Sequence, residues 1–166
     1  MGQVSRAAKA GLVLLLAGGC AIGAPSTFTL NSASVDSVYT CPLGAADAPY
    51  KLQATIDVRN GTSSTVTIKS VAAVMTLADV KGKWLEPVGD KYQAGDVTFT
   101  PATVGAGNTT SLKVTIPSTC TNGKTPSATA AYGEYKVALT VATSAGTQTI
   151  STRNRHRIVA ASGSRT

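Results

Sequence analysis

The chain has 166 residues, enough for one domain with a sizeable core. Charged residues make up only 14% of it and aromatic residues 5%, while glycine, alanine, serine and threonine are abundant. This composition favours an all-β extracellular protein with many turns over a helical enzyme, and the formal charge of +7 favours anionic neighbours.

The first twenty residues carry a short apolar run behind two positive charges. Arg6 and Lys9 precede the run at residues 10–17, which is shorter than the roughly 20 residues needed to cross a bilayer. Such a segment is typical of an export signal rather than a membrane span. Once it is removed, 13 basic and 8 acidic residues remain, so the expected charge of the mature protein is +5.

The export signal ends in the sequence LAGGC at positions 16–20. This stretch resembles the lipobox of bacterial lipoprotein precursors, in which small residues precede a cysteine that is lipidated and becomes the mature N-terminus. The resemblance implies a signal peptide over residues 1–19, palmitate or a similar acyl chain on Cys20, and a short tether over residues 20–27. Ala17 stands where that family usually has leucine.

The resemblance also implies a location outside the cytoplasm, anchored to the bacterial cell membrane through Cys20. The alternatives are secretion after cleavage near Ala24, which would remove Cys20, and an uncleaved anchor. The seven residues 21–27 span roughly 25 Å when fully extended, so a tethered domain would sit close to the bilayer.

Lipidation of Cys20 would leave Cys41 and Cys120 as an even pair in an oxidising compartment. We therefore expect a disulfide between them. It would close a loop of about 80 residues and contribute roughly 4 to 5 kcal/mol in the chain-entropy model. Two separate buried thiols are the alternative.

From residue 28 onward, apolar and polar residues alternate, which predicts strands with one buried face. A first strand is expected from Phe28 toward Cys41. The next are expected over residues 51–59 and from Val66 onward, with a bulge or a doubly buried stretch near Ser70, where the alternation shifts. The predicted inward residues of the 51–59 strand are Leu52, Ala54, Ile56 and Val58.

Further strands are expected around Phe99, over residues 112–116 with an end at Pro117, over 135–141, and through 147–160. Turn residues such as Asn and Gly separate these segments. The pattern predicts an all-β fold, an antiparallel β-sandwich of seven or eight strands.

The sandwich is expected over residues 28–160, with residues 161–166 as a disordered tail. The stretch YGEYKVALTV at residues 132–141 resembles the sixth strand of an immunoglobulin-like sandwich. A tyrosine near the start of that strand bonds back across a corner in the family, and Tyr135 is the candidate here. Val137 stands where antibody domains have a cysteine, so a fibronectin-like or other Greek-key variant stays open.

Residues suited to catalysis or metal binding are sparse. The single histidine, His156, has no carboxylate near it in sequence and is expected to be solvated or half-buried. One histidine and a bridged cysteine pair cannot supply the three or four ligands of a zinc or copper site. Four acidic residues share one irregular region, but their spacing matches no calcium loop. They are Asp79, Glu86, Asp90 and Asp96. We expect no enzymatic activity, cofactor or metal.

Three arginines in the sequence STRNRHRIV are the main candidate for an anion contact. If the last strand continues through them, Arg153, Arg155 and Arg157 share one face as a positive stripe. Guanidinium groups pair well with phosphate and carboxylate, so the stripe is a candidate site for anionic headgroups or envelope polymers. The alternative is an edge strand whose charges keep it soluble and unpaired.

The function expected from these features is a non-enzymatic binding or structural module of the bacterial cell envelope, with an unknown protein partner. Nucleic acid is not an expected partner. The alternative is a protease-inhibitor-like sandwich that presents residues 80–96, VKGKWLEPVGDKYQAGD, to a secreted protease. Within that loop Trp84 is a candidate surface contact, and a plug at the end of the sandwich is its other possible role.

Overall fold

The computed structural model describes residues 27–42, 47–120 and 131–160, and these residues form eleven β-strands. The strands are β1 (Phe28–Val35), β2 (Val38–Thr40), β3 (Ala48–Asn60), β4 (Val66–Lys81), β5 (Lys91–Ala94), β6 (Thr98–Thr100), β7 (Thr103–Val104), β8 (Thr109–Cys120), β9 (Tyr132–Thr143), β10 (Gly146–Ser151) and β11 (His156–Val159). The described residues contain no helix that could cross a bilayer. The predicted signal peptide, Cys20 and the tail at 161–166 lie outside the described residues.

The strands form two sheets around a common hydrophobic core. One sheet has the order β1-β3-β8-β6, and all adjacent strands within it are antiparallel. The other has the order β2-β11-β9-β4-β5, with β10 beside β9 and β7 beside β4. In immunoglobulin lettering these sheets are A-B-E-D and A′-G-F-C-C′. The predicted fold class, an immunoglobulin-like β-sandwich, is confirmed.

The described chain has eleven strands rather than seven or eight because two predicted strands are each divided and two short strands were not predicted. The first divides at residues 36–37, where the chain crosses from one sheet to the other, and β2 then pairs in parallel with β11. The last divides at residues 152–155 into β10 and β11. The short strands β5 and β7 flank the one predicted around Phe99, which is β6.

Side chains of the last strand bond to the outer edge of β1. Gln148 on β10 donates to the carbonyl of Phe28. Asn154, in the break between β10 and β11, accepts from the Val35 N–H at 3.0 Å and donates to the Val35 carbonyl at 2.6 Å. These side-chain amides bond to backbone groups that an edge strand would otherwise offer to another chain.

The alternation predicted within the strands is confirmed. The four inward residues of β3 are at most 3% exposed. The register of β4 against β9 shifts between Ile68 and Ser70, which confirms the bulge expected there. The buried faces of β3, β8, β4 and β9 form the core between the sheets, because every second residue of each strand points inward.

The strand β8 continues past Pro117, where the sequence predicted its end. The Pro117 carbonyl accepts a hydrogen bond from the Tyr92 hydroxyl on β5 at 3.4 Å, so the polar backbone groups of this residue face away from β3. β6 pairs with residues 113–115 of β8. The proline nitrogen, which has no hydrogen to donate, therefore lies beyond the residues of β8 that pair with β6. Its missing N–H removes no hydrogen bond between these two strands.

The predicted disulfide between Cys41 and Cys120 is confirmed, with Cα atoms 5.9 Å apart. Cys41 follows β2 and Cys120 ends β8, so the bond joins the two sheets. Both cysteines are at most 1% exposed.

The two ends of the sandwich are held differently. At one end Phe28 pairs with Asn60, whose buried side-chain amide donates to the carbonyls of Ser64 and Val104 at 2.8 and 2.9 Å. At the other end is the disulfide. The part of β3 from Tyr50 to Asn60 separates these ends by about 30 Å. We call them the Phe28 end and the disulfide end.

Replacing both cysteines of the bridge by alanine should lower the free energy of unfolding by about 4 kcal/mol, because the unfolded chain regains the freedom of a long loop. Guanidinium denaturation of the oxidised protein and of the double variant measures the difference. Adding a reductant should lower the free energy of unfolding of the wild type and leave that of the variant unchanged. Equal midpoints for wild type and variant would contradict a stabilising bridge.

Candidate functional site

The β4–β5 loop, residues 82–90, is fastened to the strand that precedes it. The Leu77 N–H donates to the Asp90 carbonyl at 2.9 Å, and the Gly89 N–H donates to the Leu77 carbonyl at 2.8 Å. Gly89 has a φ of 102°, a conformation that side chains other than glycine rarely adopt. The second half of the loop is therefore held in a single backbone conformation.

Trp84 anchors the first half of the loop. Its indole packs against Gly133 on β9, where a Cβ atom would lie 2.6 Å from Trp84 Cε2, so only glycine leaves room for the ring. The ring also packs on the core. Of the two roles predicted for Trp84, this contact favours the plug over a free surface contact.

Within the part of the chain that the structure describes, Tyr135 does not form the predicted corner. Its hydroxyl donates to Glu86 Oε2 on the β4–β5 loop at 3.3 Å. Burial raises the pKa of Tyr135, and the nearby Trp84 indole N–H lowers it by a smaller amount. That buried N–H has no hydrogen bond of standard geometry. Among the described residues, the partner of the Tyr135 hydroxyl is therefore a loop residue 49 positions away in sequence.

A cleft of about 170 Å³ opens between the β4–β5 loop, β5 and the end of β8. Its floor is formed by Met75, Tyr135 and Ile158, which are at most 7% exposed. Its walls and mouth are polar or amphipathic, and they comprise Glu86, Asp90, Lys91, Tyr92, Ser118 and Thr119. The loop stands out in the sequence as a candidate contact, but the floor residues are ordinary core positions that no sequence pattern distinguishes.

Exposed apolar side chains are concentrated on the β4–β5 loop and β5, two of the elements that border the cleft. In the described part of the chain four large hydrophobic residues are exposed, and three of them lie on the loop or on β5. These are Leu85 at 63%, Val88 at 57% and Tyr92 at 39%, and the fourth is Val38 at 56% on β2. A cluster of exposed apolar side chains on an anchored loop is typical of a contact surface.

His156 is fully buried, not solvated or half-buried as predicted. Its Nδ1 lies 2.7 Å from the Asp36 carbonyl, which can only accept, so Nδ1 carries the hydrogen. Its Nε2, 2.9 Å from the Tyr50 hydroxyl, then accepts in the neutral ring. The Tyr50 ring stacks on Tyr39 with centroids 4.0 Å apart. This cluster ties the crossing between β1 and β2 to the core and offers no solvent-facing base.

The predicted arginine stripe does not form, because the strand breaks at residues 152–155. Arg155 Nη1 binds Glu134 Oε2 at 3.0 Å, and Arg157 binds Glu134 Oε1. Hydrogen bonds from Arg157 and Arg155 hold the pKa of the Glu134 carboxyl below its usual value. Arg157 also lies 4.3 Å from the centroid of the Tyr132 ring.

Arg153 is separated from this pair, since it lies in the break and its backbone N–H donates to the Ala33 carbonyl on β1. Glu134 was missed in the sequence analysis because it lies on the neighbouring strand β9. Anion binding by the three arginines stays a prediction. Within residues 27–42, 47–120 and 131–160, no three His, Cys, Asp or Glu side chains are placed to share a metal ion.

No protein-family model matches the sequence, and no curated protein matches it significantly. Among solved structures, the chain is similar to AggA, the major subunit of aggregative adherence fimbriae type I from Escherichia coli. That alignment has 10% identity and a TM-score of 0.33, and it covers 82% of this chain and 95% of that chain.

Two further solved structures are similar. The PapD-like domain 7 of human CEP192 aligns at 12% identity with a TM-score of 0.26, over 100% of this chain and 99% of that chain. The periplasmic chaperone SfaE aligns at 13% identity with a TM-score of 0.29, over 80% of this chain and 58% of that chain. Scores this low carry no argument about function, and the fold assignment rests on the strand order described above.

Burial lowers the pKa of His156, which predicts a pH-dependent stability. Near pH 7 the ring is mostly neutral in both states, but as the pH falls toward and below about 6.5 the unfolded chain binds the proton more readily than the folded one. The free energy of unfolding should therefore fall as the pH drops from 7 toward 5.5, by up to about 1.4 kcal/mol per pH unit.

Urea denaturation at pH 7.0, 6.5, 6.0 and 5.5 measures this dependence. His156→Gln should lower the stability at every pH and remove the part of the slope that His156 contributes. The carboxylates contribute the same pH dependence to both proteins, so an unchanged slope in the variant would contradict the assignment.

Proposed function

We propose that this protein is an extracytoplasmic, membrane-tethered binding module that contacts another protein through the β4–β5 loop, β5 and the cleft beside them. The observation that carries the proposal is the exposure of three apolar side chains on these elements: Leu85 and Val88 on the β4–β5 loop, and Tyr92, which lines the cleft. Exposed apolar side chains favour association, because covering them removes apolar surface from water.

The anchoring of the loop supports the same conclusion. A loop held by backbone hydrogen bonds and by the packing of Trp84 on Gly133 is already ordered before a partner arrives. Binding to a pre-ordered surface avoids part of the entropy cost of association. A non-enzymatic role is supported by His156, the chain's one histidine, which is 0% exposed and hydrogen-bonded at both nitrogens.

The proposed tether rests on the cysteine count. The disulfide uses Cys41 and Cys120, and Cys20 is the third cysteine, placed directly after the apolar run. A tether over residues 20–27 enters the domain at the Phe28 end. The cleft includes Ser118, which pairs with Tyr50 about 30 Å away from that end along β3. The proposed binding surface would thus face away from the membrane.

Contact of the arginines with lipid headgroups is not part of this proposal. Arg157 pairs with Glu134 near the start of β9, whereas Thr143 at the end of β9 lies toward the Phe28 end. Arg157 is therefore also far from the proposed point of attachment. The protease-inhibitor alternative for residues 80–96 stays a prediction.

Replacing Cys20 by serine should prevent lipidation and move the protein from the membrane fraction to the medium, or leave an uncleaved precursor. Mass spectrometry of the wild-type N-terminal peptide should find an acylated Cys20. Ala17→Leu, which restores the usual lipobox residue, should leave the acylation intact and serves as the control. A wild-type N-terminus beyond Cys20, without modification, would rule out the tether.

A photo-crosslinking amino acid at Tyr92, expressed in intact cells, should form an adduct with one defined protein. Leu85→Asp and Val88→Asp should each reduce that adduct at least fivefold, because a charge at the contact must lose its hydration on binding. Val38→Asp is the matched control, since Val38 is equally exposed but lies on β2.

Immunoblotting and mass spectrometry of the adduct give the readout. An adduct that is equally sensitive to Val38→Asp, or the absence of any adduct from Tyr92, would contradict binding through this surface. Circular dichroism of each variant checks that the fold is retained.

A further inference from the structure

The size of the cleft limits its occupant to one side chain. Its volume is about 170 Å³. An engineered cavity of about 150 Å³ holds a benzene molecule, whereas pockets for drug-sized ligands measure about 300 to 1,000 Å³. The cleft therefore fits a single side chain of a bound protein better than a metabolite or a nucleotide.

The interior of the cleft suits an extended hydrocarbon chain. The floor presents the Met75 thioether, the Ile158 side chain and the Tyr135 ring, all at most 7% exposed. Side chains such as lysine and arginine bury their methylene stems on surfaces of this kind and keep their charged ends near the opening. A small polar ligand would leave the apolar floor uncovered.

The mouth of the cleft carries two carboxylates and one amine. Glu86 is held in place by the Tyr135 hydroxyl, and Asp90 by the bond of its backbone carbonyl to Leu77. Lys91, the third charged group, lies on the short edge strand β5. The three groups give the mouth a formal charge of −1. A neutral occupant would cover the carboxylates without giving them a partner, whereas a cation would pair with them.

We infer that the cleft binds one lysine or arginine side chain of the protein partner, with its stem on Met75, Tyr135 and Ile158 and its cation between Glu86 and Asp90. This inference rests on the proposed function and adds the chemistry of the partner. Leu85 and Val88 would then contact apolar residues next to that basic side chain. The partner would present a basic residue flanked by apolar ones.

Two five-residue peptides test the inference, and they differ only in one terminal group of the central side chain, which is a guanidinium nitrogen in one and a urea oxygen in the other. Acetyl-Leu-Ala-Arg-Ala-Leu-amide carries the cation, and the same peptide with citrulline in place of arginine is neutral and nearly identical in shape. Trp84, the chain's single tryptophan, packs beside Tyr135 and reports binding by its fluorescence. The full chain in detergent micelles should bind the arginine peptide at least fivefold more tightly than the citrulline peptide.

Charge variants of the mouth sharpen the test. Glu86→Gln combined with Asp90→Asn should bring the affinities for the two peptides to within twofold of each other. The glutamine can still accept the hydrogen bond from the Tyr135 hydroxyl. Lys91→Met should strengthen binding of the arginine peptide about two- to threefold, because it removes the competing cation. Asp96, an exposed acidic residue outside the cleft, provides the matched control, and Asp96→Asn should not change the affinity for either peptide.

Equal affinity for both peptides in the wild type would overturn the inference, and so would a preference that survives the double amide variant. Absence of binding by either peptide would also overturn it. The proposed function fails separately, through loss of the Tyr92 adduct in cells. If the adduct is retained but both peptides bind equally well, the proposed binding surface stands, and only the inference of a basic side chain in the partner is rejected.

Discussion

The bonding of the last strand to the outer edge of the first is the constraint on which the rest of this structure depends. Gln148 and Asn154 occupy the backbone groups of β1 that would otherwise be open. The break at residues 152–155 places Asn154 against β1. Directly after it, β11 rejoins β9, so that His156 lies in the core and Ile158 forms part of the cleft floor.

The same break decides the electrostatics of this side of the molecule. A continuous strand would have aligned three guanidinium groups in a row. The break instead leaves Arg155 and Arg157 on either side of Glu134, and their charges are used within the protein. One carboxylate on a neighbouring strand thus gives two of the three arginines a partner within the protein, because guanidinium pairs as readily with an internal carboxylate as with an external anion.

The cleft combines residues that are far apart in the sequence. Its mouth comes mainly from the β4–β5 loop and β5, and its floor from β4, β9 and β11. At the same end of the sandwich, the disulfide joins β8, which contributes Ser118 and Thr119 to the cleft, to the segment after β2 in the other sheet. The proposed tether enters at the opposite end. Together these features favour a rigid domain in which the proposed binding surface lies at the end opposite the proposed tether.

The sequence by itself determined the strands with one buried face and the bulge near Ser70, because side chains on a strand alternate with a period of two residues. It also determined the all-β class and, through the cysteine count, the disulfide. Only the tertiary structure decided the break before His156, the bond of Tyr135 to Glu86, the path of β8 through Pro117 and the pairing of the arginines with Glu134. Each of these depends on a contact between residues distant in sequence, and local periodicity carries no information about which distant group a side chain meets.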